Sequence, residues 1–177
     1  MTTNERYQKN KAILPCFEDF IFGQDSPTVA ALRFGTANRT VGQVGCAAVA
    51  VYNALRLVGR PTDFCKILAQ FESLRMPWLF GLFGTKPKSL GRYLDEKGVP
   101  YWLTTDADVL RAMLKNADAV IICTWNKPRT GGIHFYTVFN DNGRLTALNR
   151  FSDDRATAFA AQDIDRKRLI AGYVFLR

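Results

Sequence analysis

From Ala47 to Val58 every residue except Asn53 and Arg56 is apolar or aromatic; a Gly-, Thr-, Asn- and Gln-containing stretch precedes the run, and Gly59 and Pro61 close it. That pattern predicts a helix buried almost all round, with Cys46 in its first turn. Upstream, residues up to about Lys11 are polar and read as a loose arm. Ile13 to Phe22, with Pro15 inside it and Gly23 after it, carries enough apolar residues to dock on the body. Gly23-Gln24-Asp25-Ser26-Pro27 is a turn, Thr28 to Phe34 a short strand or helix, and residues 35–45 a loop feeding the central helix. Downstream, Pro61-Thr62-Asp63 starts a helix running to about Ser73, and a second helix covers Lys88 to Lys97, stopped by Gly98. Between them Met76 to Gly84 is an apolar loop with two glycines, a binding surface if exposed and a cover over the core if not.

The second half changes period. Val99 to Thr104 is a short strand, and Asp106 to Asn116 an amphipathic helix with Val109, Leu110, Met113 and Leu114 on one side. From there β signals dominate: Ala119 to Trp125, Ile133 to Asn140, Arg144 to Arg150 and Ala171 to Leu176. Asn142-Gly143 accepts the positive φ angles of a type I′ turn, which sets Asp141 opposite Arg144 and, further along, Tyr136 opposite Asn149. Helices first and antiparallel strands afterwards, with no repeat or linker, predict an α+β domain, and 177 residues suit a single one.

Composition narrows the classes. The net charge is +8, but Lys and Arg are scattered, and no phosphate loop, zinc spacing or RNA-binding aromatic motif accompanies them. A solvated basic surface is therefore expected rather than a nucleic-acid partner. Cys16, Cys46, Cys65 and Cys123 fit neither paired metal-ligand spacing nor a small disulfide framework, so reduced thiols are expected, with no metal or organic cofactor. The start of the chain is polar and no later run reaches the roughly 18 apolar residues of a membrane helix, so a cytoplasmic protein is the default expectation.

The chemistry-bearing residues are few. Cys46 opens a buried helix, where unpaired N–H groups and the macrodipole favour a thiolate. The only histidine, His134, opens a strand after Gly131-Gly132. On the hairpin register it is the diagonal, same-face neighbour of Asn149. Cys46, His134 and Asn149, 88 and 15 residues apart, thus supply a nucleophile, a base and an amide that fixes which ring nitrogen faces sulfur.

Cys, then His, then Asn, with the Cys opening a central helix and the His on a strand, resembles the layout of papain-like cysteine peptidases. The matching stretches are Gly45-Cys46-Ala47-Ala48 through Leu57-Val58-Gly59, Val120-Ile121-Ile122-Cys123, His134-Phe135-Tyr136-Thr137-Val138 and Ala147-Leu148-Asn149-Arg150. They are similar to the branch that holds the leader-cleaving (double-glycine) peptidases of bacteriocin exporters and their single-domain relatives. The resemblance implies a papain-like α+β fold and a Cys46–His134–Asn149 triad cutting peptide or amide bonds in a peptide or protein substrate. Two positions depart from the pattern: Ala47 replaces a glycine, and Thr40 stands where the family's oxyanion Gln would be. Gln43 is the first substitute for that amide and Asn38 the second. Trp78, Phe80, Phe83 and Trp125 suggest an apolar wall near the cleft. The alternative reading is a catalytically inactive papain-like fold that binds a peptide or protein.

Overall fold

The computed structural model describes residues 1–35, 39–78, 84–126, 132–151 and 155–176. Six strands form one antiparallel sheet: β1 (Trp102–Thr104), β2 (Ala119–Trp125), β3 (Ile133–Asp141), β4 (Arg144–Leu148), β5 (Thr157–Ala158) and β6 (Leu169–Phe175), in the order β1-β6-β2-β3-β4-β5. The helices are α1 (Thr3–Ile13), α2 (Val41–Val44), α3 (Cys46–Leu57), α4 (Phe64–Ser73), α5 (Ser89–Glu96) and α6 (Ala107–Met113). The chain is α+β, as its patterning requires.

The sheet is buried on both faces because side chains alternate along each strand. Ile121, Cys123, Phe135 and Tyr173 face the layer built on α3 and α4, while Val120, Ile122, Tyr136, Val138 and Val174 face α6. This explains why β2 reads as an unbroken apolar run. Helix α3 lies across β3 and β2, and Thr137 on β3 donates its hydroxyl to the Ala50 carbonyl at 2.8 Å. On the opposite face Leu110 of α6 sits so close to Gly172 that an added Cβ would meet its Cδ1 at 2.5 Å, so a larger residue there would force Leu110 to move.

The predicted hairpin forms with its expected register. Asn142 and Gly143 both have positive φ, Asp141 is opposite Arg144, and pairing runs back to Thr137 opposite Leu148. It stops there: β4 ends at Leu148, one residue before Asn149 would have paired. The helix predicted from Asp106 is α6, capped by the Asp106 carboxylate, but it buries Ala107, Leu110 and Leu114 while Val109 is exposed.

The loose arm expected over residues 1–11 is instead helix α1. Thr2 and Glu5 form a capping box, and the helix docks on α4 through polar side chains. Arg6 makes a bidentate ion pair with Glu72, both side chains nearly inaccessible, and Glu72 also accepts from the Gly35 N–H. Asn10 clamps both backbone groups of Arg33, at 2.8 Å each. Among the described residues no helix is long and apolar enough to cross a membrane.

Candidate active site

Cys46 begins α3 directly after α2, and Gly45 makes the junction possible. A Cβ on Gly45 would lie 2.6 Å from Val41 Cγ1 and 2.7 Å from the Val41 carbonyl oxygen, so only glycine allows the two helices to abut. The Cys46 side chain is 5% exposed. Burial pushes its thiol up to about 11, opposed by backbone N–H groups of Phe135, Ala47 and Cys46 itself. These backbone groups favour negative charge on the sulfur, but desolvation outweighs them.

The Phe135 groups are free to do this because β4 has ended. In an antiparallel ladder one residue directs its N–H and C=O to the same neighbour. Phe135 lies beyond the last β3–β4 pair, so both groups would be orphaned. Its carbonyl accepts from Asn149 Nδ2 at 3.0 Å, and its N–H favours negative charge on the Cys46 sulfur.

Asn149 leaves the strand with φ of +59°, a left-handed conformation that Asn tolerates better than most residues. The kink redirects its carboxamide. Nδ2 donates to the Phe135 carbonyl and, at 3.5 Å, to the Cys46 carbonyl, while Oδ1 accepts from the Gln24 N–H at 2.7 Å. The amide expected to orient His134 is therefore engaged elsewhere. The backbone carbonyl of the same residue takes that place, meeting His134 Nε2 at 2.5 Å. A carbonyl only accepts, so Nε2 carries the proton and Nδ1 is the basic nitrogen.

His134 stacks on Tyr136, with ring centroids 6.2 Å apart, and so shares the α6 side of the sheet, whereas Phe135 and Cys46 belong to the α3 side. Asn149 is the residue that touches both positions, its backbone carbonyl meeting His134 and its side chain the Cys46 carbonyl. Among the described residues no hydrogen bond joins the imidazole to the sulfur. Burial lowers the His134 pKa below its ordinary value, against the Asn149 carbonyl and the negative charge of Asp25, which raise it. At neutral pH the resting pair is a neutral thiol and a neutral imidazole.

Gln43 does not point at Cys46. It lies one turn into α2, is exposed, and its Oε1 accepts from the Thr40 N–H at 3.2 Å. A glutamine three residues into a helix reaches back to cap it, and that local bond removes it from the site. Asn38, Phe80 and Phe83 lie outside the described residues. Trp78 and Trp125 are each 40% exposed.

Comparison of the sequence with protein-family models and with curated proteins returns no match.

One residue of this corner escaped the sequence reading. Gln24, read only as part of a turn, gives its backbone N–H to Asn149 and its side-chain Nε2 to the Gly42 carbonyl at 2.8 Å. The segment before it is tied to α3. Asn53 holds both backbone groups of Ile21, at 3.0 and 2.7 Å, and Asn149 N–H donates to the Phe22 carbonyl at 2.6 Å. A fully buried Asn in an otherwise apolar helix was the available signal, since a buried carboxamide needs partners. Among the described residues no cluster of three or more His, Cys, Asp or Glu side chains could hold a metal ion.

Proposed function

We propose that this chain is a papain-like cysteine peptidase or related thiol acyl hydrolase acting on peptide or amide bonds. The reading rests on one observation. Asn149 meets the Cys46 carbonyl through its side chain and His134 through its backbone, so a single residue touches the positions of the proposed nucleophile and base.

In the reaction His134 Nδ1 takes the thiol proton and Cys46 Sγ attacks the substrate carbonyl carbon. The oxyanion that forms accepts from the backbone N–H groups of Cys46 and Phe135, each such donor being worth about 3 kcal/mol where measured in other enzymes. His134 then gives its proton to the departing amine. Water, deprotonated by the same nitrogen, hydrolyses the thioester and returns the thiol. The Asn149 carbonyl holds Nε2–H throughout and stabilises the imidazolium between the two proton transfers.

A second reading is an inactive papain-like fold that binds a peptide or protein. It is favoured by the absent thiol–imidazole bond and by the engagement of Gln43 in α2.

Alkylation separates the two, with exposed Cys16 as a reference thiol in the same molecule. Under the peptidase reading, iodoacetamide labels Cys46 at neutral pH in wild type and more slowly in His134→Ala, followed by mass mapping. In His134→Ala the rate climbs with pH toward about 11, because only the bare thiolate is left to react. Equal labelling at neutral pH in both proteins would instead favour the binding module. Hydrolysis of a peptide library by wild type, lost in Cys46→Ala, is the direct test.

A further inference from the structure

We propose that the segment from Phe20 to Asp25 is a strap that holds the site closed in the resting protein. This regulation rests on Cys46 being the nucleophile. The ties of the strap end on the site itself. The Phe22 carbonyl and the Gln24 N–H both bind Asn149, and the Gln24 side chain binds Gly42 in the helix that leads to Cys46. With Asn149 Oδ1 committed to Gln24, the carboxamide is fixed in place and Nδ2 stays on Phe135 and Cys46. The same closed arrangement leaves the thiol buried, and among the described residues no hydrogen bond joins His134 to the sulfur.

An independent feature lets the strap move. A half-open surface pocket of about 200 Å3 lies among Phe20, Ile21, Phe22, Ser26, Thr28 and Val29. That open space borders the segment, so the strap can shift into it without displacing core. Its entry is held chiefly by side-chain bonds, the Tyr52 hydroxyl donating to the Phe17 and Asp19 carbonyls at 3.0 Å each and Asn53 bracketing Ile21. When the strap shifts, Asn149 Oδ1 is released, the sulfur gains access to solvent, and His134 can approach it around the end of β4.

Two variants loosen the strap without touching the catalytic groups. Tyr52→Phe removes the hydroxyl but keeps the ring packed on Phe64, and Gln24→Ala removes the tie to Gly42. Each should accelerate amide exchange at Ile21 and Gln24 and raise the Cys46 alkylation rate relative to Cys16 by about fivefold, the factor that the loss of one net hydrogen bond permits. Faster strap exchange with Cys46 alkylation unchanged overturns the proposal. Wild-type protein gives a second test that needs no variant to fold. In low urea, Cys46 alkylation should follow exchange at Ile21 and Gln24, and tracking the β2 amides instead would mean that only global unfolding exposes the thiol. Failure of the peptidase reading looks different: strap-gated labelling that is the same in wild type and His134→Ala.

Discussion

Helices α1 and α3 are nearly equal in length and are held in opposite ways. Helix α3 is apolar around almost its whole circumference and packs between the sheet and α4, with only Asn53 and Arg56 polar in its length. Helix α1 has no apolar face, and its buried residues are Arg6 and Asn10. One docks by removing hydrocarbon from water, the other by matching a few buried polar groups to specific partners. The first mechanism is non-directional and tolerant of detail. The second fails when one partner is removed, because a charge or carbonyl is left dry and unpaired.

The largest effect should therefore fall on α1 despite its polar sequence. Arg6→Ala leaves Glu72 buried with the Gly35 N–H as its remaining donor among the described residues and should cost about 3–5 kcal/mol, the range for breaking a buried ion pair from one side. Urea denaturation measures it. Replacing both partners together, Arg6→Met with Glu72→Leu, should recover most of the loss. If the single and double variants were equally unstable, docking by polar matching would be the wrong description of α1.

Leu55→Ala in α3 should come next, at about 3 kcal/mol, since the side chain is almost wholly buried and deletion leaves a cavity. It should lower the midpoint without changing the local behaviour of α1. Gly45→Ala follows at about 1–3 kcal/mol, because the new Cβ must push backbone atoms of Val41 rather than a flexible side-chain tip. This variant sharpens the comparison in another way: it shifts the first turn of α3, so Cys46 alkylation should change even where global stability is restored by osmolyte.

What the sequence revealed follows the same division. The apolar run of α3 with Cys46 at its head, the buried β2, and the Asn142-Gly143 hairpin were all legible, because each is written in periodicity or in turn chemistry confined to a few adjacent residues. Helix α1 was not, since Arg6 and Asn10 look like surface residues until Glu72 and the Arg33 backbone are brought to them from afar. At the site, Asn149 contacts both Cys46 and His134, but by groups that order and spacing do not reveal. The register placing Tyr136 opposite Asn149 holds to Thr137 and then ends, and the positive φ of Asn149 rotates its carboxamide from the imidazole toward Gln24. Gln43 was misjudged for a similar reason: a cap bond three residues long competes successfully with a role across the cleft.

The smallest effect tests whether α1 needs to be a good helix at all. Thr2 Oγ1 accepts from the Glu5 N–H at 3.2 Å and Glu5 accepts from the Thr2 N–H at 2.8 Å, both at an exposed end. Loss of an N-cap typically costs about 1 kcal/mol when helix formation limits stability. Here Arg6 and Asn10, one and two turns further in, fix the helix to α4 and to the Arg33 loop whether or not its first turn is capped. Thr2→Ala should then cost about 0.5 kcal/mol, at the low end of the N-cap range. Its amide exchange should quicken at Glu5 and not at Leu14, whose N–H is bonded to the Asn10 carbonyl. A loss near 2 kcal/mol spread along the whole helix would mean that α1 depends on its own helicity, and that the clasp formed by Arg6, Asn10 and Glu72 follows from the helix rather than holding it.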